Sequence, residues 1–92
     1  MKEKDFQAQV IRIAKAFGWT WFHPYDSRKS TPGFPDLVLV RERILYRELK
    51  TDNKRSKLTA HQKAWGEKLT HAGGDWDVWR PKDVDKIKED LK

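Results

Sequence analysis

The sequence predicts an α/β domain in which a mixed sheet is flanked by helices, in the order α-β-β-β-α-β-α. Three observations predict it. Apolar residues recur at helical spacing at the start, middle and end of the chain, and runs of β-branched and aromatic residues lie between these segments. A clear helix start also separates the third strand-like run from the fourth, as a right-handed parallel crossover requires. With 92 residues the chain has the length of one small domain, expected to span residues 1–92. At that size a single core supplies only a few kcal/mol of stability, which makes help from a partner chain plausible.

From residue 4 to 17, Phe6, Val10, Ile13, Ala14 and Phe17 fall three and four apart and form the apolar stripe of an amphipathic helix. Gly18 ends it as the residue after the C-cap. The aromatic "WTWFH", Trp19 to His23, is β-prone and reads as a strand, after which Pro24 and the polar "YDSRKSTPG" form a basic loop. Strands at 36–41 and 44–50, joined across "RER", read as an antiparallel hairpin, and "TDNKRSK" is a second basic loop.

The second helix begins at a Thr-x-x-Gln capping box, Thr59 and Gln62, with Leu58 placed to staple onto the first turn. It is expected to run to about His71 with Ala64, Trp65 and Leu69 facing inward, and Gly73-Gly74 stops it. "WDVWR", Trp76 to Arg80, is short and β-prone and reads as the fourth strand. Pro81 opens a last helix carrying Val84, Ile87 and Leu91.

Composition narrows the chemistry. There is no cysteine, which excludes disulfides, thiolate metal sites and cysteine catalysis and leaves carboxylates and three histidines as ligands. Twenty Lys and Arg against fourteen Asp and Glu give a formal +6, so polyanions are natural partners and nucleic acid is the leading one. The five tryptophans are expected to build the core, with one or two left for a subunit interface or a nucleobase. No stretch approaches the roughly 20 apolar residues of a membrane span. The charged opening Met1 to Asp5 leads into an amphipathic pattern and not into the apolar region of a signal peptide. An intracellular, cytoplasmic protein is expected.

The acids at the ends of the hairpin strands are the unusual feature. Along a strand, side chains two apart share a face and lie roughly 7 Å from each other, so Glu48 and Lys50 project together. Asp36 opens the strand hairpinned to theirs, and in an antiparallel pair the start of one strand lies beside the end of the next. Two carboxylates and an ammonium therefore converge beside two basic loops. With the Leu49 carbonyl, such a carboxylate pair makes a hard-cation site of the kind Mg²⁺ takes while keeping waters.

This arrangement resembles the PD-(D/E)xK nuclease superfamily and its restriction-endonuclease-like fold. The surrounding residues are similar to those of its VRR-NUC (virus-type replication-repair nuclease) family. The matching segments are "GFPDLVLV" with Pro35-Asp36, "RELK" with Glu48-x-Lys50, the helix start "LTAHQ" from Leu58 to Gln62, and the opening helix "EKDFQAQVIRIAKAFGW". The likeness covers nearly the whole chain and fades in the last helix.

What the resemblance implies is metal-dependent hydrolysis of DNA phosphodiesters. Asp36, Glu48 and the Leu49 carbonyl would bind Mg²⁺ or Mn²⁺, with Lys50 orienting the attacking water or helping to deprotonate it. A glutamate of the opening helix adds to such sites, and Glu3 matches it best, with Gln7 one turn later as the other candidate. Gln62 is then both a cap and a site residue. Arg28, Lys29, Lys54, Arg55 and Lys57, in the two loops, are expected to contact phosphates. Small members of the family look like phage or prophage products acting on branched DNA such as four-way (Holliday) junctions, and a homodimer would present two sites to such a substrate.

The alternative is a basic DNA-binding or scaffold module of the same fold that does not cut. Retention of Asp36, Glu48 and Lys50 favours the enzyme. His23, His61 and His71 read as surface or packing residues, with His61 the nearest of them to the site, and no pair of histidines supports a metal-independent hydrolase.

Overall fold

In a computed structural model, which describes residues 1–24 and 31–92, the predicted element order is observed. Helix α1 spans Glu3–Ala16, and strands β1 (Thr20–Phe22), β2 (Leu37–Val40) and β3 (Ile44–Leu49) follow. Helix α2 spans Ala60–His71, β4 spans Asp75–Trp79, and a 3-10 turn at Pro81–Asp83 leads into α3, Val84–Leu91. The sheet order is β1-β2-β3-β4. The first two pairings are antiparallel and β3 pairs with β4 in parallel, so α2 is the crossover helix. Among the described residues no helix is long and apolar enough to cross a membrane.

Alternation along β2, β3 and β4 divides the sheet into two faces. Leu37, Leu39, Leu45, Leu49 and Trp79 all point to one face and are buried there against Phe6, Val10 and Ala14 of α1 and Ile87 and Leu91 of α3. Trp19 joins this core, and its indole N–H donates to the Leu91 carbonyl at 2.9 Å. Arg41 and Arg43, in the β2–β3 turn, lie over the Trp19 ring at 4.6 and 5.0 Å from its centroid. Arg41 also donates to the Phe17 and Lys92 carbonyls, each at 2.8 Å, tying the turn to the ends of α1 and α3. Of the remaining tryptophans, Trp79 is buried, Trp65 and Trp76 are half-buried, and Trp21 is exposed on the edge strand.

The opposite face belongs to α2, and here one sequence expectation is corrected. Ala64 is exposed, and Trp65 and Leu69 are only half-buried. The buried residue of α2 is Gly66, where a Cβ would lie 2.5 Å from the Trp76 ring of β4. The helix rests its glycine on that ring, and Ala64, two residues away and so about 200° around the helix, turns outward. Contact with Trp76 thus set the helix rotation, overriding the apolar spacing. Helix α2 packs mainly on β4. The rest of the face keeps Phe22, Val40 and Ile44 at 61, 41 and 48 % exposure.

Candidate active site

Asp36 is the residue before β2, and the Leu37↔Arg47 pairing continued by one position sets it opposite Glu48 of β3. Both then point to the α2 face. Asp36 Oδ2 accepts the Leu49 backbone N–H at 2.8 Å, which fixes one acid to the strand that carries the other. Lys50 follows directly, buried, with its backbone N–H donating to the Trp79 carbonyl at 3.0 Å and extending the parallel ladder one residue past β3. Among the described residues no carboxylate lies within ion-pair distance of its ammonium.

Glu48 is 1 % exposed. Its Oε1 accepts from Gln62 Nε2 at 3.2 Å, and its buried Oε2 has no donor among the described residues. Burial above all, and then the Asp36 carboxyl beside it, push the Glu48 carboxyl well above the ordinary carboxylate range; Lys50 pulls the other way and Glu3 adds slightly to the rise. Two facing carboxylates have acceptors only, so without a cation Glu48 keeps a proton, which it can donate to Asp36. A hard divalent cation answers the same need. The donors are carboxylate oxygens, there is no thiolate, and an acceptor stands without a partner, a combination that fits Mg²⁺ or Mn²⁺.

Gln62 reaches Glu48 because of how α2 begins. The Thr59 hydroxyl accepts the Gln62 N–H at 3.2 Å and Gln62 Oε1 accepts the Thr59 N–H at 2.9 Å, completing the predicted capping box. With Oε1 spent on the cap, the amide nitrogen is the atom turned to Glu48. The helix start is in turn held against the "GFPD" segment at Gly33. That residue has φ +91°, and a Cβ on it would lie 2.5 Å from the His61 backbone carbon.

Glu3 sits in the first turn of α1, exposed, on the helix that covers the other face of the sheet. Its carboxyl is raised by partial burial first and by Asp36 second, against Lys50, so it feels both site residues. Among the described residues, however, no group of three or more His, Cys, Asp or Glu side chains comes together as a metal cluster. Asp36, Glu48, Lys50 and Gln62 are thus assembled, with Glu3 at their margin. Gln7 is half-buried on the same helix.

Lys54, Arg55 and Lys57 are exposed in the loop after Lys50. Lys54 and Lys57 line a cleft of about 260 Å³ with Arg80 and Lys82, two cations absent from the sequence reading. They come from the end of β4 and the 3-10 turn, and the parallel β3–β4 pairing was the signal that could have placed them there. Arg28 and Lys29 lie outside the described residues. His23, read from the sequence as a surface or packing residue, lies beside the site. Its Nδ1 is 2.8 Å from the Asp36 carbonyl, an acceptor, so Nδ1 carries the hydrogen and steadies the backbone of Asp36. The β1–β2 register, Phe22 opposite Val38, brings it there.

Two solved structures match this architecture. One, described as "VRR_NUC domain", superposes with a TM-score of 0.77 and 26% identity over 95% of this chain and 94% of its own. The other, a "VRR_NUC domain protein", gives a TM-score of 0.76 and 22% identity over 99% of this chain and 85% of its own. No protein-family model matches the chain, and no curated protein does. The chain has the fold of a VRR-NUC domain, as its sequence motifs led one to expect.

Proposed function

We propose that this VRR-NUC fold serves as a divalent-metal-dependent endodeoxyribonuclease. The observation that carries the proposal is the buried Glu48 Oε2, without a donor among the described residues, opposite Asp36 and beside Lys50. Asp36, Glu48 and the Leu49 carbonyl would hold Mg²⁺ or Mn²⁺, with Glu3 adding negative charge at the edge. When bound, the ion supplies Lewis-acid activation of water and neutralises charge on the phosphate oxygens.

The chain's own residues do the positioning. The Leu49 N–H holds Asp36, and Gln62 holds one oxygen of Glu48 so that the other remains toward Asp36. Lys50 offers positive charge and N–H donors to the attacking water and to the phosphate as its charge rises. Water's oxygen bonds to phosphorus, the bond to the departing sugar oxygen breaks, and that oxygen ends with a proton. Lys54 and Lys57, with Arg80 and Lys82 of the same cleft, and Arg55 of the same loop serve as phosphate contacts that hold the DNA across the site. Arg28 and Lys29 belong to the same set by their place in the sequence.

Branched DNA such as a four-way junction is the substrate we favour, in the cytoplasm of a bacterial or phage-infected cell, with a homodimer as the working unit. The uncovered apolar residues Phe22, Val40 and Ile44, all on one sheet face, support a partner copy. Light scattering at micromolar concentration should give twice the chain mass. A monomeric mass leaves the metal site standing and removes the dimer.

The test of the activity is the purified protein with Mg²⁺ or Mn²⁺ against labelled junction, flap, single-stranded and duplex DNA. Metal-dependent cleavage, greatest on branched forms, is expected. Binding to every shape with no cutting in either metal would instead favour a scaffold module.

A further inference from the structure

We infer that the outer face of α2 carries a stacking subsite for an unpaired nucleobase on the strand that enters the metal site. It rests on the nuclease reading above. His61, Ala64, Trp65 and Lys68 recur at helical spacing along α2 and, with Thr31 and Pro32, line a cleft of about 160 Å³. This is the stripe that turned outward when Gly66 settled on Trp76.

The cleft is built in advance. Trp65 is braced edge-on by Phe34 at 5.1 Å between ring centroids, and Phe34 is braced in turn by Tyr46 at 6.4 Å. Gly33 brings the Thr31–Pro32 wall close, because its missing side chain lets it touch the His61 backbone. The small side chain of Ala64 leaves room beside the indole. Among the described residues no carboxylate lines the cleft, and Lys68 and His61 supply donors.

These features fit one class of ligand. A tryptophan held rigidly next to a cation, here Lys68, is the usual platform for a base on a single strand, since every base has a π face and every nucleotide a phosphate. A bare phosphate has no use for the indole, and a cleft this small cannot take the stacked edge of a duplex. It also adjoins the chemistry: His61 precedes Gln62, whose amide touches Glu48. A strand crossing the metal site would thus pass over the start of α2 with a base within reach of Trp65.

The experiment measures binding by fluorescence anisotropy, in Ca²⁺, to a flap with unpaired nucleotides at the branch and to a fully paired duplex of equal length. Trp65→Leu should weaken flap binding roughly fivefold to a hundredfold and duplex binding hardly at all, while Trp65→Phe recovers part of the loss. An abasic nucleotide at the branch should cost the wild type a similar factor and cost Trp65→Leu nothing further. Ala64→Glu, at an exposed helical position, should repeat the selective loss without touching the Phe34 contact, and circular dichroism melts check that each variant folds. Equal losses on flap and duplex, or an abasic penalty that persists in Trp65→Leu, overturn the subsite. Metal-dependent cutting by the same wild-type preparation is scored separately, so the subsite can fail while the nuclease reading holds.

Discussion

The two faces of one sheet do opposite work. On the α1 and α3 face, β2 and β3 bury Leu37, Leu39, Leu45 and Leu49 completely or nearly so, and the only demand on them is shape. On the α2 face the residues between them include Glu48, buried with one oxygen unpartnered among the described residues, and Asp36 beside it. A buried carboxylate without a donor costs stability. The chain tolerates it because the same strand is anchored by its other side, one residue out of phase. Period-two alternation thus lets six residues of β3 carry core and candidate site at once.

Substitutions on the site face should separate function from folding most sharply. Asp36→Asn and Lys50→Ala should each reduce cleavage by about a thousandfold or more, the scale of losing a group that acts on the transition state, while melting temperature and DNA affinity stay close to wild type. Rates on a labelled junction, beside melts of each variant, check it. If both variants cut well, the two faces do not divide the labour this way.

The packed face should show the reverse. Leu39→Ala is expected to lose roughly 2–5 kcal/mol of folding stability through the cavity it leaves, measured by urea unfolding. Cleavage by the fraction still folded should be near normal. A specific loss of rate in folded Leu39→Ala would mean that core packing tunes the site.

A smaller effect follows from the raised Glu48 carboxyl. Because its folded value lies above its unfolded one, its stabilising contribution is full below about 4.5 and is lost as pH rises toward about 10. Metal-free wild type should therefore lose stability across that window, and Glu48→Gln should flatten the profile and be the more stable protein at pH 8. Identical slopes for the two proteins would show that Glu48 does not bear this strain.

The smallest effect concerns the rim. Lys54→Ala combined with Arg55→Ala should weaken binding to every DNA shape alike and reduce the dependence of affinity on salt, as loss of phosphate contacts does. An unchanged salt slope would make these residues mere solubilisers.

Much of this division was legible in the sequence. The apolar, β-prone runs in "DLVLV" and "ILYREL" marked the strands, and residue parity with an antiparallel turn sufficed to place Asp36 and Glu48 together. The capping box was legible because both partners are local. The rotation of α2 was not. It depends on Gly66 meeting Trp76 from another strand, and Ala64 at helical spacing looks the same whether it points in or out. The places of His23 beside Asp36 and of Arg80 and Lys82 in the basic cleft were not legible for a related reason: their neighbours are set by strand register and by the parallel crossover, which a linear pattern does not encode.

The most direct measurement of the central claim is a Mn²⁺ titration of wild type and Glu48→Gln at pH 7, followed by melting temperature. If the unpartnered carboxylate is half of a cation site, Mn²⁺ should raise the wild-type melting temperature in a saturable way and leave Glu48→Gln almost unmoved. Equal shifts in both proteins, or none in the wild type, would contradict a metal centre built on Asp36 and Glu48.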